Sequence, residues 1–336
     1  MSEKLRMGVI GLGFIGGMHT RVIAEDPHAE LVAVADLDKG LADNFAEKYG
    51  CVAYADYQEM LIRDDIDAVS ICVPEPYHVA PAVAAAAAKK DILIEKPLAR
   101  TLKEIGEIMD AVNENGVRLM VGHVLKFDPR YVQLKDAINN GDLGEISSLT
   151  LKHCNSVATV QRLQGKISIF YYLGVHDLEW IIDYCKPAKP TKVYCQAVSK
   201  INLYANDVDA VFMIVNFDSG ALANIELNWA HPDNPASGFG LYAEITGSKG
   251  RGRITIDEQG LEIITADCVS YPDSLLWPVF NGKLQGDLKK EINHFIQAVI
   301  NKEPFIINVD DATLAVALIE AAMTSIKTGE PVILPQ

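Results

Sequence analysis

Glu95-Lys96-Pro97 closes a short apolar run, Ile92-Leu93-Ile94, and sets two charged residues at its end. The run follows an alanine-rich stretch over 79–90, so the order is that of a helix feeding a buried strand of a parallel sheet. Pro97 stops the strand because it has no N–H to give the ladder. Ligands of open parallel sheets bind beyond the carboxyl ends of the strands, which is where Lys96 falls. A lysine there can donate to an oxygen that gains negative charge. With no ligand beside it, the same lysine is simply a solvated residue at a strand end. The second candidate is His176, in the run 168–182, where Val175, Leu178 and Ile182 recur at helical spacing. An imidazole titrates near neutrality and suits proton abstraction. Tyr172, four residues earlier, falls on the same helical face. His176-x-x-Glu179 and His153-Cys154 are isolated pairs without third and fourth ligands at the usual spacing, so no metal is expected.

The first half of the chain alternates strand and helix. A strand over 7–10 runs straight into Gly11-Leu12-Gly13-Phe14-Ile15-Gly16, and a helix continues over 17–25. A G-x-G-x-x-G alone is a weak signal; placed between a strand and a helix it reads as a dinucleotide cradle. Gly11 permits the tight turn, Gly13 the close approach of a pyrophosphate, and Gly16 the packing of helix on strand, with the phosphates at the helix N-terminus. A second apolar run, 31–35, ends in Asp36, 20 positions beyond Gly16, where such folds hold a ribose-binding acid. A carboxylate there accepts from the 2′- and 3′-hydroxyls of NAD and repels the 2′-phosphate of NADP, so NAD is preferred. Asp36 could instead cap the helix that starts near Lys39. Further strands over 68–73, 92–94 and 119–121 complete a doubly wound parallel sheet of at least five strands.

Gly11-x-Gly13-x-x-Gly16, Asp36, Pro74 with His78, and Glu95-Lys96-Pro97 together resemble the Gfo/Idh/MocA family, the relatives of glucose–fructose oxidoreductase and inositol dehydrogenase. The resemblance spans essentially the whole chain. It implies that Lys96 contacts the reacting hydroxyl or carbonyl oxygen. The expected coenzyme-binding set is Gly11, Gly13, Phe14, Ile15, Gly16, Asp36, Pro74, His78 and Glu95. It further implies that His176 is the proton acceptor, because inositol dehydrogenase-like members carry Asp-x-x-x-His at this place. Three departures stand out. Val73-Pro74-Glu75 replaces the common Thr-Pro-Asn, Lys126 replaces an arginine, and Tyr172 occupies the place of the aspartate. A tyrosine with an ordinary pKa near 10 cannot be the anionic partner of a charged histidine. Either Tyr172 donates a hydrogen bond to substrate or another acid orients His176. Asp177 is adjacent in sequence but points about 100° away on a regular helix. His123 and Asp128, in the crossing after the last parallel strand, are candidate substrate contacts.

The remaining chain alternates in strands over 145–152, 192–199, 210–217, 221–229, 242–246, 253–256 and 262–266, with amphipathic helices over 286–301 and 310–328. The expected fold is α/β: an N-terminal Rossmann domain over 1–122, then a C-terminal α+β domain over 123–336 with a large, mostly antiparallel open sheet. One face of that sheet needs cover, which points to a homodimer or homotetramer built through it. The 336 residues carry a net charge of −15, which gives no general attraction for nucleic acid or an anionic membrane. Six scattered cysteines, no visible secretory signal and no membrane-length apolar run suggest a reduced cytoplasmic protein. The expected activity is NAD-dependent hydride transfer at a carbinol or ketone of a sugar, inositol or sugar derivative. Two rivals share these features: a glycosidase that retains NAD and acts through transient oxidation and elimination, and a non-catalytic NAD or sugar sensor.

Overall fold

A computed structural model describes residues 4–164, 166–201, 208–233, 239–255, 261–265 and 269–335. The ends of two expected strands, Ile256 and Ala266, and Cys268 lie outside the described residues. The chain forms two compact units: Met1–Phe127 with Leu276–Thr313, and Asp128–Leu275 with Leu314–Gln336.

In the first unit, β1 (Leu5–Ile10), β2 (Ala29–Ala35), β3 (Val52–Tyr54), β4 (Ala68–Ile71), β5 (Asp91–Glu95) and β6 (Leu119–Gly122) make one sheet in the order β3-β2-β1-β4-β5-β6. Every pairing is parallel. The helices α1 (Phe14–Glu25), α2 (Lys39–Tyr49), α3 (Tyr57–Leu61), α4 (Val79–Ala87) and α5 (Leu102–Asn115) supply the crossovers. The strand order reverses between β1 and β4, the usual place for a ligand in such a sheet. Both faces of the central strands are covered, and their middles are mostly apolar: Ile92, Leu93 and Ile94 of β5 are each 0% exposed. Burying side chains of this size stabilises the fold by roughly 1.5–3 kcal/mol each. Local chemistry ends the helices where the sheet needs them ended. Thr101 and Glu104 form a reciprocal capping box on α5, and Gly116 closes it in the left-handed region. The helix expected over 79–90 stops at Ala87, since Lys89 turns to φ 57°. The short β3 and α3 had no readable sequence signal. The helix Asp287–Asn301 packs on α1 and β1, burying Leu288, Ile292, Phe295 and Ile296. Contacts therefore group it with the parallel sheet, although it lies far along the chain.

The second unit contains α6 (Pro129–Asn139), β7 (Ile146–Ser156), α7 (Val157–Leu163), α8 (Val175–Cys185), β8 (Pro190–Val198), β9 (Ala210–Phe217), β10 (Leu222–His231), β11 (Phe239–Gly247) and β12 (Arg251–Thr255). Its seven-stranded sheet runs β12-β11-β7-β10-β9-β8, with Val332–Ile333 at the β8 edge. Among the described residues of this sheet, β7 and β10 pair in parallel and the other pairings are antiparallel. Side chains alternate along β9: Val211, Met213 and Val215 are buried, whereas Phe212 and Ile214 are 46% and 37% exposed. The 310–328 helix runs Val309–Thr328, and Ser325 Oγ on it accepts from the Cys195 backbone of β8 at 3.0 Å.

Candidate functional site

The loop after β1 is built as a nucleotide cradle. Gly11 adopts φ +87°, and a Cβ there would meet the Cys72 backbone at 2.9 Å. A Cβ on Gly16 would stand 1.9 Å from the Gly11 carbonyl oxygen, so only glycine lets α1 approach so closely. At Gly13 nothing lies within 4 Å, which leaves open space beside the first turn of α1. Phe14 begins that helix 64% exposed, its ring edge-on to Trp277 at 6.0 Å; Ile15 is half-buried. Asp36, at the end of β2, accepts from the Leu12 N–H at 2.7 Å and from the Asp38 N–H at 2.9 Å. It therefore holds the glycine loop while its carboxylate keeps lone pairs for hydroxyl donors. The capping of α2 falls to Asp38, whose side chain accepts from Leu41 N–H. These residues can hold the ribose and pyrophosphate of a dinucleotide, the helix N-terminus adding its dipole.

Lys96 follows β5 directly, and its peptide bond to Pro97 is cis. His78 fixes this turn from beneath. It is buried, with Nδ1 2.8 Å from the Pro97 carbonyl and Nε2 2.9 Å from the Val73 carbonyl. His78 is thus a clamp between the β4 and β5 ends, and burial holds its pKa below the ordinary imidazole value. Pro74, beside it, is exposed and starts the short turn Glu75–Tyr77. Burial lowers the pKa of Lys96, against the opposing pull of Glu95 and Glu75. Burial likewise raises that of Glu75, with Arg100 and Lys96 resisting. His123, just past β6, is buried, and its pKa falls to about 3 through burial and the charges of Lys126 and Lys96. It is neutral at any working pH. Lys126 pairs with Asp311 at 3.6 Å.

Glu95 turns inward. Its Oε1 lies 3.1 Å from His19 Nε2, and Oε2 accepts from the Lys96 N–H at 3.3 Å. His19 Nδ1 is 2.8 Å from Ser70 Oγ. Burial works against a charge on His19, but Cys72 and Glu95 outweigh it and raise its pKa well above the usual value.

In the second unit, a π-helical turn, Phe170–Gly174, leads into α8 and carries Tyr172; His176 sits in the first turn of α8. Both side chains are half-buried. The Tyr172 hydroxyl accepts from Arg162 of α7 at 3.1 Å, and its ring lies 6.5 Å from that of Trp229. Asp177 Oδ2 accepts from His153 Nδ1 at 3.0 Å, both residues being buried. The His153 ring in turn stands 6.3 Å from the His176 ring. The acid thus reaches the neighbourhood of His176 through a second histidine. Asp128 caps α6, accepting from Arg130 N–H at 2.8 Å, while the Arg130 guanidinium holds both its oxygens at 2.5 and 3.0 Å. Its carboxylate is occupied within its own turn.

A glycine-loop cradle at the switch point of a parallel sheet, with a lysine of lowered pKa at the end of β5, defines a dinucleotide-dependent oxidoreductase. Residues 5–123 match the oxidoreductase-family model for an NAD-binding Rossmann fold, and residues 135–334 match that for its C-terminal alpha/beta domain. The chain belongs to the Gfo/Idh/MocA oxidoreductase family. It is 30% identical to the NAD(+) scyllo-inositol 2-dehydrogenase of Bacillus subtilis, over 99% of this chain and 97% of the relative. It is 29% identical to an inositol 2-dehydrogenase of Rhizobium meliloti, over 96% and 97%. The scyllo-inositol dehydrogenase of Lactobacillus casei, solved with NAD(H) and scyllo-inositol, shares the fold at TM-score 0.85 over 98% and 99% of the two chains, with 19% identity.

Sequence reasoning missed His19, Glu291, Arg162 and the roles of His153 and Asp177. Two of these did carry a signal. Glu291 falls on the apolar face of its helix, between Leu288 and Phe295, and His153 alternates with the buried Leu149 and Leu151 of β7. A polar residue on a buried face needs a partner.

Proposed function

We propose that this chain is an NAD-dependent dehydrogenase that interconverts a secondary alcohol of an inositol, sugar or sugar derivative with the corresponding ketone. The placement of Lys96 carries this reading: it is held at the end of β5 by the His78 clamp, with its pKa lowered by burial. The two inositol dehydrogenases at 29–30% identity support the substrate class. Bound NAD supplies the hydride acceptor. Lys96 donates to the reacting oxygen and stabilises the alkoxide charge that develops as its proton leaves. His176 takes that proton as general base, with the His153–Asp177 pair beside it. Tyr172, backed by Arg162, donates to a substrate oxygen.

Asp36 selects NAD over NADP, since Leu37 and Asp38 offer no cation for a 2′-phosphate. Exposed Phe212, Ile214 and Leu222 lie on adjacent strands of the second sheet and form the face through which a second copy binds. No described helix is long and apolar enough to cross a membrane. The five described cysteines are free thiols, in keeping with a cytoplasmic enzyme. The function is tested by NADH formation with purified protein on inositols, sugars and sugar acids. Turnover with one polyol class, lost in Lys96→Ala with NAD binding retained, is the expected result. Turnover unchanged by Lys96→Ala removes the assignment.

A further inference from the structure

On the inner side of the Lys96 turn is a group of ionisable side chains that the proposed chemistry does not use. Glu291 is 0% exposed, and neither of its carboxyl oxygens has a hydrogen-bond partner. Glu291, Glu95 and His19 each place one polar atom within 4.8 Å of the others. Gly122, closing β6, leaves them room: a Cβ there would stand 3.0 Å from Glu95 Oε1 and 3.5 Å from Glu291 Oε1. Two buried carboxylates this close cannot both carry charge without compensation.

A cation is one way to compensate them, but His19 opposes it. Its Nε2 is engaged by Glu95 at 3.1 Å and its Nδ1 by Ser70 at 2.8 Å, so coordination would break one of these contacts. A proton compensates the pair with both contacts kept. We propose that Glu291 is held as the neutral carboxylic acid and shares its proton with Glu95, so that the pair presents one negative charge rather than two to Lys96.

The groups facing the pair are few. His19 comes from α1, and Ser70 and Cys72 from β4 and its end. His78 and Lys96 act on Glu95; Asp287, paired with Lys290 at 3.0 Å, acts on Glu291 from its own helix; Gly122 faces the pair from β6. Burial and the charge of Glu95 push Glu291 well above the ordinary carboxyl range, with His19 opposing and Asp287 adding to the rise. Burial favours the neutral form of Glu95 too, but His19, Lys96 and His78 outweigh it and hold Glu95 below its usual value. The two acids move in opposite directions, as a pair holding one proton must. Glu291 is a positioning residue that acts through Glu95. Its effect on turnover rests on the dehydrogenase reading; its protonation does not.

Glu291→Gln keeps the shape and a donor while removing the titration. Infrared spectra of the wild type at neutral pH are expected to show a protonated-carboxyl C=O band that is absent from Glu291→Gln. An acid whose folded pKa is raised adds stability below its unfolded value, about 4.3, and loses it as pH rises toward the folded value. Glu291→Gln should therefore fold with a Tm equal to or above that of wild type at pH 7, and the two should converge toward pH 4. In turnover, the variant should stay within about threefold of wild type at neutral pH. Its pH profile should lose the alkaline inflection that appears when the shared proton leaves and Lys96 gains a second negative neighbour. A purely structural Glu291 would not move that profile. A wild type without the neutral-carboxyl band, a variant whose Tm deficit grows with pH, or a stoichiometric divalent cation in the purified protein that Glu291→Gln loses would each overturn the proposal. The spectrum, the Tm and the metal content need no substrate, so they separate this claim from the proposed activity.

Discussion

The proposed chemistry draws on Lys96 and His176, and the two units fix these residues by different means. Lys96 inherits its place from backbone. It follows a strand buried on both faces, and His78 ties its turn to the end of β4 by two carbonyl contacts. His176 depends on side chains. It starts a helix entered by a π-helical turn, next to a buried His153–Asp177 pair. A position set by a sheet tolerates change around it, whereas one set by a side-chain pair does not. Changes around Lys96 other than at His78 should therefore cost little activity, whereas the histidine half should also lose activity when its supporting pair is changed.

The largest loss is expected from His176→Ala, about 10²–10⁴-fold in kcat, the usual range for removing a general base. Its pH profile should also lose the limb that reports that base. Lys96→Ala should lower kcat about 10²–10³-fold with the NAD dissociation constant nearly unchanged, measured by coenzyme fluorescence. His153→Asn breaks the contact with Asp177 and should cost about tenfold in kcat. An equal loss from a conservative change in α4 would dissolve the contrast between the two halves. Asp36→Ser should weaken NAD about tenfold, the worth of a charge-assisted hydrogen bond, and narrow the gap to NADP.

The smallest effect on turnover concerns stability in acid. His123 has a folded pKa of about 3 against an ordinary 6.5, so its neutral form stabilises the fold above pH 6.5 and that contribution is lost as pH falls toward 3. The total is up to ~5 kcal/mol, taking one pKa unit as about 1.4 kcal/mol. His123→Gln should flatten the loss of Tm between pH 6.5 and 4 relative to wild type. A His123 contact with substrate would instead show as a raised KM at neutral pH.

The coenzyme half was legible because its chemistry is local. Gly11 and Gly16 are required by close backbone contacts and Gly13 borders open space, and Asp36 and Lys96 each follow an apolar run that is itself visible in the sequence. The six-stranded parallel sheet follows from that alternation, with β3 hidden because three residues carry no period. The proposed role of His176 rests on family resemblance, because one histidine on a helix specifies nothing by itself. Its supporting acid could not be read, since Asp177 reaches His153 across 24 positions of chain. The same limit hid Glu291, which meets Glu95 and His19 only when three distant segments fold together. Asp128, a candidate substrate contact from the sequence, is held by Arg130 two residues on and caps its own helix.

The most direct test is NADH absorbance with purified protein, NAD and a panel of myo-inositol, scyllo-inositol, free sugars and sugar acids, run in parallel with NADP and with Lys96→Ala. Turnover with at least one polyol is expected, faster with NAD than with NADP, with near-complete loss in Lys96→Ala while that variant still binds NAD. Reduction of NAD at an undiminished rate by Lys96→Ala would contradict this expectation.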